Sequence, residues 1–428
     1  MNTLITASVI VLLLCLFMKV PVFISVLAGS GTYFLMSANV SSQILAQRFA
    51  SGVESVPLLA VPFFVCAGVF MNYSGVTERI MAFCGALTGR MWGGLAQVNI
   101  LLSTLMGGLS GSSLADAAME AKMLVPEMEK KGMSKAFSTV VTAFSSTITP
   151  LIPPGIAMIL YGSIANISIG QLFMTGIAVG LLMCVTMMIL TTFIAHRRGY
   201  KPMRTDKIPV TEKLSAFKHA ALPLCLPVII IGGIRLGIFT PTEAGAIAIL
   251  YSILLGFMYH RLNTRNMVEG MQETIVTTAS IMLIVGAASA FAWVLTKERI
   301  PQMLTEWIVA TVNNKYLFLI LINIFLLIVG MFIEGNAATI VLVPLLVPMA
   351  RAFGIHDIQF AFVFIFNMAI GSITPPMGTI MFVSCGVTGC KIRDFLREAV
   401  PYFIQMGVCL LLITFVPVVT TFMVDLFY

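Results

Sequence analysis

Charge is scarce in this sequence, and histidine scarcer. Only 10% of the 428 residues are Asp, Glu, Lys or Arg, against roughly 25% in a soluble domain. So little charge cannot clothe a water-facing surface, which excludes an ordinary soluble globule. The four histidines (His196, His219, His260 and His356) fall in or beside polar loops. They form no chain across an apolar segment, which favours sodium over a proton relay as a coupling ion, although Asp116 and Glu334 keep a relay open. There is no GxxxxGK[ST] loop, so ATP does not drive the chain directly. The eight cysteines stand singly in apolar sequence, with no CxxC and no His at ligand spacing, which excludes a disulfide framework and a zinc site. No paired-carboxylate or His-rich motif points to a membrane enzyme. The N-terminal run from Met1 to Met18 lacks a basic leader, and Lys19 follows it, so it reads as a spanning helix and not as a signal peptide.

What is abundant is apolar sequence: 59% of residues are hydrophobic and mean hydropathy is +1.00. The length accommodates about a dozen bilayer segments of ~20 residues. The net charge of +7 does not indicate nucleic acid, because the basic residues sit in short loops between apolar runs, the positive-inside pattern. The densest basic loop, His196 to Lys218, carries Arg197, Arg198, Lys201, Arg204, Lys207, Lys213 and Lys218. With that side cytoplasmic, Lys19, the Lys122–Lys135 segment, His260-Arg261 with Arg265, and Lys391 to Arg397 share it. The apolar runs then give spans near 3–18, 20–36, 57–71, 136–165, 170–195, 219–238, 243–260, 267–294, 358–388 and 400–425, with both termini periplasmic.

One passage occurs twice. Leu124-Val125-Pro126 leads through Gly132 to Ile148-Thr149-Pro150-Leu151-Ile152-Pro153-Pro154-Gly155; Leu346-Val347-Pro348 leads through Gly354 to Ile373-Thr374-Pro375-Pro376-Met377-Gly378. The offset is 222 at the first anchor (348 against 126) and 225 at the second (374 against 149). Two further stretches fail as simple spans. The run 93–126 starts and ends beside cytoplasmic charge and is interrupted at Ser110-Gly111-Ser112-Ser113. The run 316–350 must start and end outside and is interrupted at Glu334-Gly335-Asn336. Each reads as a re-entrant hairpin, opening to opposite sides. Each is preceded by a span and a short amphipathic run, Glu78 to Arg90 and Pro301 to Val312. The expected fold is therefore an all-α polytopic membrane protein with an inverted repeat, two re-entrant hairpins and two broken helices.

The chemistry belongs at those interruptions. The 222-residue offset sets Ser112 opposite Glu334 and Ser113 opposite Gly335, with both tips facing the breaks at Thr149–Gly155 and Thr374–Gly378. Half-helix ends expose carbonyls that suit a hard cation and N–H groups that suit an anion. A lone Pro, or one Ser/Gly turn, is more often a plain helix contact. Four interruptions at equivalent positions outweigh that reading. The intramembrane acids are read as Asp116, Glu120, Glu243 and Glu334: Asp116 and Glu334 beside the cation, Glu120 near the cytoplasmic end and solvated. Arg235 takes a structural role, at the interface or paired with Glu243.

On the stretches Gly107 to Asp116, Thr149 to Gly155, Gly237-Ile238-Phe239-Thr240-Pro241-Thr242-Glu243-Ala244 and Thr374 to Gly378, the chain resembles the large membrane subunit of tripartite ATP-independent periplasmic (TRAP) transporters, the DctM-type family. Glu334 departs from the Asp expected there. The resemblance implies an elevator-type, sodium-coupled importer of organic anions in the bacterial inner membrane, not an enzyme, with sodium as coupling ion and no other cofactor. It implies two partners, a small four-helix membrane subunit and a periplasmic substrate-binding protein. No leading four-helix segment is present, so the small subunit is expected as a separate chain. Sodium and substrate residues map to Ser110, Gly111, Ser112, Ser113, Asp116, Thr149, Pro150, Pro154, Gly155, Glu334, Gly335, Asn336, Thr374, Pro375, Pro376 and Gly378. The resemblance divides the chain into scaffold and first arm (1–92), first transport repeat (93–195), loop, scaffold and second arm (196–312), second transport repeat (313–390) and C-terminal helix (391–428). Similarity leans toward sugar acids such as sialic acid over C4-dicarboxylates. The alternatives are a binding-protein-independent dicarboxylate or ion carrier of related fold, and a channel or scaffold with static breaks.

Overall fold

The computed structural model describes residues 3–18, 20–37, 40–204, 206, 209–312 and 314–427. Lys19 and Lys207, two of the charges used to assign sidedness, lie outside them. The described residues form helices and connecting turns only. The first group is α1 (Thr3–Phe17), α2 (Val22–Met36), α3 (Gln43–Val53), α4 (Ala60–Tyr73) and α5 (Val76–Thr88). The first hairpin is α6 (Gly94–Ser110) with α7 (Ser113–Lys130). A broken helix follows as α8 (Lys135–Ser145) and α9 (Ile156–Ala165), and then the long α10 (Ile169–Arg197). A middle group comprises α11 (Val210–Arg235), α12 (Pro241–Met258), α13 (Thr264–Lys297) and α14 (Ile300–Thr311). The second hairpin is α15 (Lys315–Gly330) with α16 (Gly335–Ala352), the second broken helix α17 (Asp357–Gly371) with α18 (Thr379–Thr388), and the chain closes with α19 (Ile392–Phe415) and α20 (Val418–Phe427).

The repeat survives in three dimensions. Val76 against Ile300, Gly94 against Lys315, Ser113 against Gly335, Lys135 against Asp357, Ile156 against Thr379 and Ile169 against Ile392 begin corresponding helices, each pair 221 to 224 positions apart. The short amphipathic runs are α5 and α14. The breaks fall where proline demands them. Residues 146–151 tighten into a 3-10 turn around Pro150, and Pro153-Pro154 cannot continue a helix. Pro375-Pro376 interrupts the second copy in the same way.

Packing joins the repeats by exchange. The returning arm α7 of the first hairpin lies against α18, and the returning arm α16 of the second lies against α9. Within each repeat the outgoing arm is held to the first half of its own broken helix. Asn99 Nδ2 donates to Thr142 Oγ1 at 2.5 Å, joining α6 to α8, and Asn367 Nδ2 donates to Asn323 Oδ1 at 2.6 Å, joining α17 to α15. These are repeat-equivalent pairs: 99 and 323 differ by 224 positions, 142 and 367 by 225. All four residues are buried, where an unpaired amide would be costly. Gly330 on α15 and Gly371 on α17 touch through backbone atoms; a Cβ on Gly371 would stand 2.5 Å from Gly330.

Three expectations are corrected. The span expected at 219–238 begins at Val210, so Lys213 and Lys218 ride on a helix and not a loop. The span expected at 400–425 is two helices, because Pro417 has no N–H to continue α19, and its carbonyl accepts from Thr420 and Thr421 N–H to start α20. The 11-residue α3 was not anticipated, having no apolar run of its own. By length and apolarity alone, eight helices among the described residues can cross a membrane.

Candidate transport site

Both hairpin tips end in backbone that a helix cannot use. Gly111 takes a left-handed conformation (φ 63°), ending α6 at a cost only glycine avoids. Ser112 then becomes the N-cap of α7, its hydroxyl accepting from Ala115 N–H at 3.4 Å. At the equivalent place in the second repeat, Glu334 is the N-cap of α16, its carboxylate accepting from Ala337 N–H at 3.2 Å. Different side chains thus fill one structural office. The half-helices beyond the breaks start at Gly155 and Gly378, neither supplying a side-chain cap.

These parts surround a cavity of about 510 Å³. Ser110 to Ala115 form its wall from the first hairpin and Glu334 to Asn336 from the second. Pro150, Ile156 and Ala157 enter from the first break, and Ser372, Thr379 and Ile380 from the second. Of the residues named from sequence, Ser110, Gly111, Ser112, Ser113, Pro150, Glu334, Gly335 and Asn336 line the space directly. Thr149, Pro154 and Gly155 are buried behind it. Thr374, Pro375, Pro376 and Gly378 do not line it. Thr374 spends its hydroxyl on Ile370 O at 2.7 Å, and Pro376 is exposed. The second break meets the cavity through its flanks.

Asp116 sits just behind the first tip, fully buried. Its Oδ2 accepts from Ser110 Oγ at 2.6 Å and Thr149 Oγ1 at 2.8 Å, which ties tip to break. Its Oδ1 has no hydrogen-bond partner. A buried carboxylate oxygen left open beside hydroxyls and helix-end carbonyls is the donor set of a hard cation.

The other acids are redistributed. Glu120 is not solvated: it is fully buried one turn along α7, its Oε2 accepting from Ser103 Oγ at 2.6 Å and its Oε1 unpaired. Glu243 is no intramembrane site residue. It is exposed and closes a capping box, accepting from Thr240 N–H at 2.7 Å and Thr240 Oγ1 at 2.8 Å. Arg235 therefore does not pair with it and lies over the Phe427 ring, 4.3 Å from the centroid. Sequence reasoning passed over Glu273, Thr277 and Ser280 on α13 and Asn72 on α4, all of which line the cavity. The signal was present, since Glu273 is an acid inside the expected span 267–294.

A many-helix membrane fold with two capped hairpin tips and two broken helices around one cavity is the architecture of a transporter. The residues 9–419 match the model of the tripartite ATP-independent periplasmic transporter, DctM component. The chain is 38% identical over 413 residues to the sialic acid TRAP transporter large permease protein SiaM of Vibrio cholerae, covering 96% of each chain. It is 35% identical to the C4-dicarboxylate TRAP transporter large permease protein DctM of Pseudomonas aeruginosa, covering 92% of each. Among solved structures it resembles the YdaH transporter of Alcanivorax borkumensis, with a TM-score of 0.62 at 14% identity over 88% of this chain and 89% of that one, a likeness of fold alone. The chain belongs to the DctM family of TRAP transporter large permeases, which are transporters and not enzymes.

Proposed function

We propose that this chain carries an organic anion into the bacterial cell across the inner membrane, coupled to sodium entry, through the cavity between its hairpin tips. The observation that carries the reading is that both N-capped tips and both broken helices border one space. Its volume, about 510 Å³, lies in the ~300–1,000 Å³ range of small-molecule sites. Helix N-termini at Ser113 and Gly335 favour the anion. The open Oδ1 of Asp116, with Ser110, Ser112, Ser113 and Thr149, would hold sodium, whose charge offsets that of the substrate when both are bound. Glu334, Gly335 and Asn336 supply the corresponding oxygen and N–H groups from the second tip.

The proposed moving body consists of the hairpins, the broken helices and α10, and the packing of α19 on α8, α10 and α17 puts α19 with it. The helices α1–α5 and α11–α14 then form the fixed scaffold, and the motion is an elevator one. A periplasmic binding protein delivers the anion, and a separate four-helix membrane subunit enlarges the scaffold. A sugar acid such as sialic acid is the proposed substrate, favoured over a C4-dicarboxylate by the 38% against 35% identities. The test is uptake in proteoliposomes containing the chain, the small subunit and the binding protein. Collapse of the sodium gradient should abolish accumulation; uptake that continues unchanged refutes sodium coupling. Full uptake without the binding protein refutes the tripartite reading.

A further inference from the structure

A second cavity, of about 280 Å³, lies where α5, α11 and α12 meet, away from the hairpins. Glu78 and Arg79 enter it from the first turn of α5, His219 from α11, and Tyr259 and Arg261 from the end of α12. It sits at a boundary between water and lipid. The charged start of α11 gives way to apolar sequence after His219, and the apolar run of α12 ends at Tyr259. Beside it, Phe217, Leu222, Phe257 and Met258 are exposed large apolar side chains.

The donors of this cavity outnumber its acceptors. Glu78 is occupied by Arg261, at 2.5 Å. Arg79 is half-buried and has no acidic partner among the described residues. Its guanidinium lies over the Tyr259 ring, 3.6 Å from the centroid, a stacking that leaves the in-plane N–H groups free. The Tyr259 hydroxyl is buried and has no hydrogen-bond partner. The helix α5 starts at Gly75 without a side-chain cap, so its first-turn N–H groups are open as well. A planar fork, a phenol and an open helix N-terminus around one small space form a receptor for a tetrahedral oxyanion.

We infer that this cavity binds a phosphate group at the membrane boundary. The exposed apolar side chains beside it favour the headgroup of an anionic phospholipid over free phosphate as its source. A phosphate held by Arg79, Tyr259 and His219 would join α5 to α11 and α12 from outside the transport site. The inference is independent of what the chain transports.

The experiment measures lipid retention by the purified full-length chain by native mass spectrometry, with melting temperature as a second readout. Wild type should retain phosphatidylglycerol about tenfold better than phosphatidylcholine, and Arg79→Gln should lose that preference. Tyr259→Phe keeps the ring beneath Arg79 and removes only the hydroxyl, so it should weaken retention about threefold. Arg265→Gln removes a nearby charge outside the cavity and should change nothing. A melting shift with inorganic phosphate that Arg79→Gln removes, without any phosphatidylglycerol preference, assigns the same site to free phosphate. Retention by Arg79→Gln equal to wild type, or an equal loss in Arg265→Gln, overturns the site. Should Arg79→Gln fail to fold, Tyr259→Phe decides alone: an unchanged retention overturns the site.

Discussion

Asp116→Asn changes one charge at nearly constant shape, and the geometry says what it should do. In the wild type Oδ2 accepts two hydroxyl hydrogen bonds, from Ser110 and Thr149, while Oδ1 is buried and open. Hydrogen bonds to an ionised group run at ~1.5–3 kcal/mol and neutral ones at ~0.5–1.5 kcal/mol. The amide oxygen can keep both bonds, so the fold loses about 2 kcal/mol, within a typical stability of ~5–15 kcal/mol. The variant should therefore express, insert and melt cooperatively a few degrees lower. Cation binding is hit harder, because the amide offers N–H groups where sodium needs an anionic oxygen. Removing one partner of a buried charge pair costs ~3–5 kcal/mol, which is about a hundredfold or more in affinity. The assay is the melting temperature of the purified chain as sodium replaces choline, which reports affinity by linkage, run beside the sodium dependence of uptake. Glu120→Gln is the graded comparison: its one hydrogen bond goes to Ser103, away from the tip, so it should cost about 1 kcal/mol of stability, and as a buried charge one turn from Asp116 it should shift the sodium midpoint less than Asp116→Asn does. A folded Asp116→Asn protein whose sodium midpoint lies within about threefold of wild type would refute the assignment.

Ser112→Ala and Glu334→Ala each remove an N-cap at a tip, worth about 1 kcal/mol, and should raise the sodium requirement while membrane insertion stays near normal. Wild-type sodium kinetics in both would remove the tips from the site. Gly371→Ala drives a methyl to 2.5 Å from the Gly330 backbone and should lower stability by about 1–3 kcal/mol, read as a drop in melting temperature. An unchanged melting temperature would show that α15 and α17 can part freely.

The skeleton of the fold was legible because its punctuation is covalent. Pro150, Pro153, Pro154, Pro375 and Pro376 cannot donate to a helix ladder wherever they stand, and Gly111 is needed for its left-handed turn, so breaks and tips could be read from residue type. Facing was harder. Glu120 lies one turn from Asp116 and shares a buried stripe with Ala117, Ala121, Leu124 and Met128, a periodicity visible in sequence but masked by the cytoplasmic charges nearby. Glu273 was passed over because nothing in the linear sequence sets it beside the tips; only the packing of α13 on α16 makes it a cavity residue. Glu243 misled for the opposite reason, since its depth was inferred from a span boundary that is really a capping box. The hydroxyl bond that ties Thr149 to Asp116 joins positions 33 apart, and no linear pattern encodes such a meeting.

The exchange of partners between repeats has a consequence for how the molecule is made. Helix α7 packs early on α6 and α8, and α9 on α10 and α4, but α7 completes its packing only when α18 exists, and α9 only when α16 does. From Lys130 to Thr379 is 249 positions of synthesis, and from Ala165 to Gly335 is 170. An emerging first half therefore holds Pro-broken backbone in lipid with the faces that meet α16 and α18 still bare. Its hairpin must be tolerated by the insertion machinery until the second half arrives. Contacts this distant in sequence slow folding, and chains truncated between α10 and α15 should be inserted but left unpacked, as prey for membrane proteases.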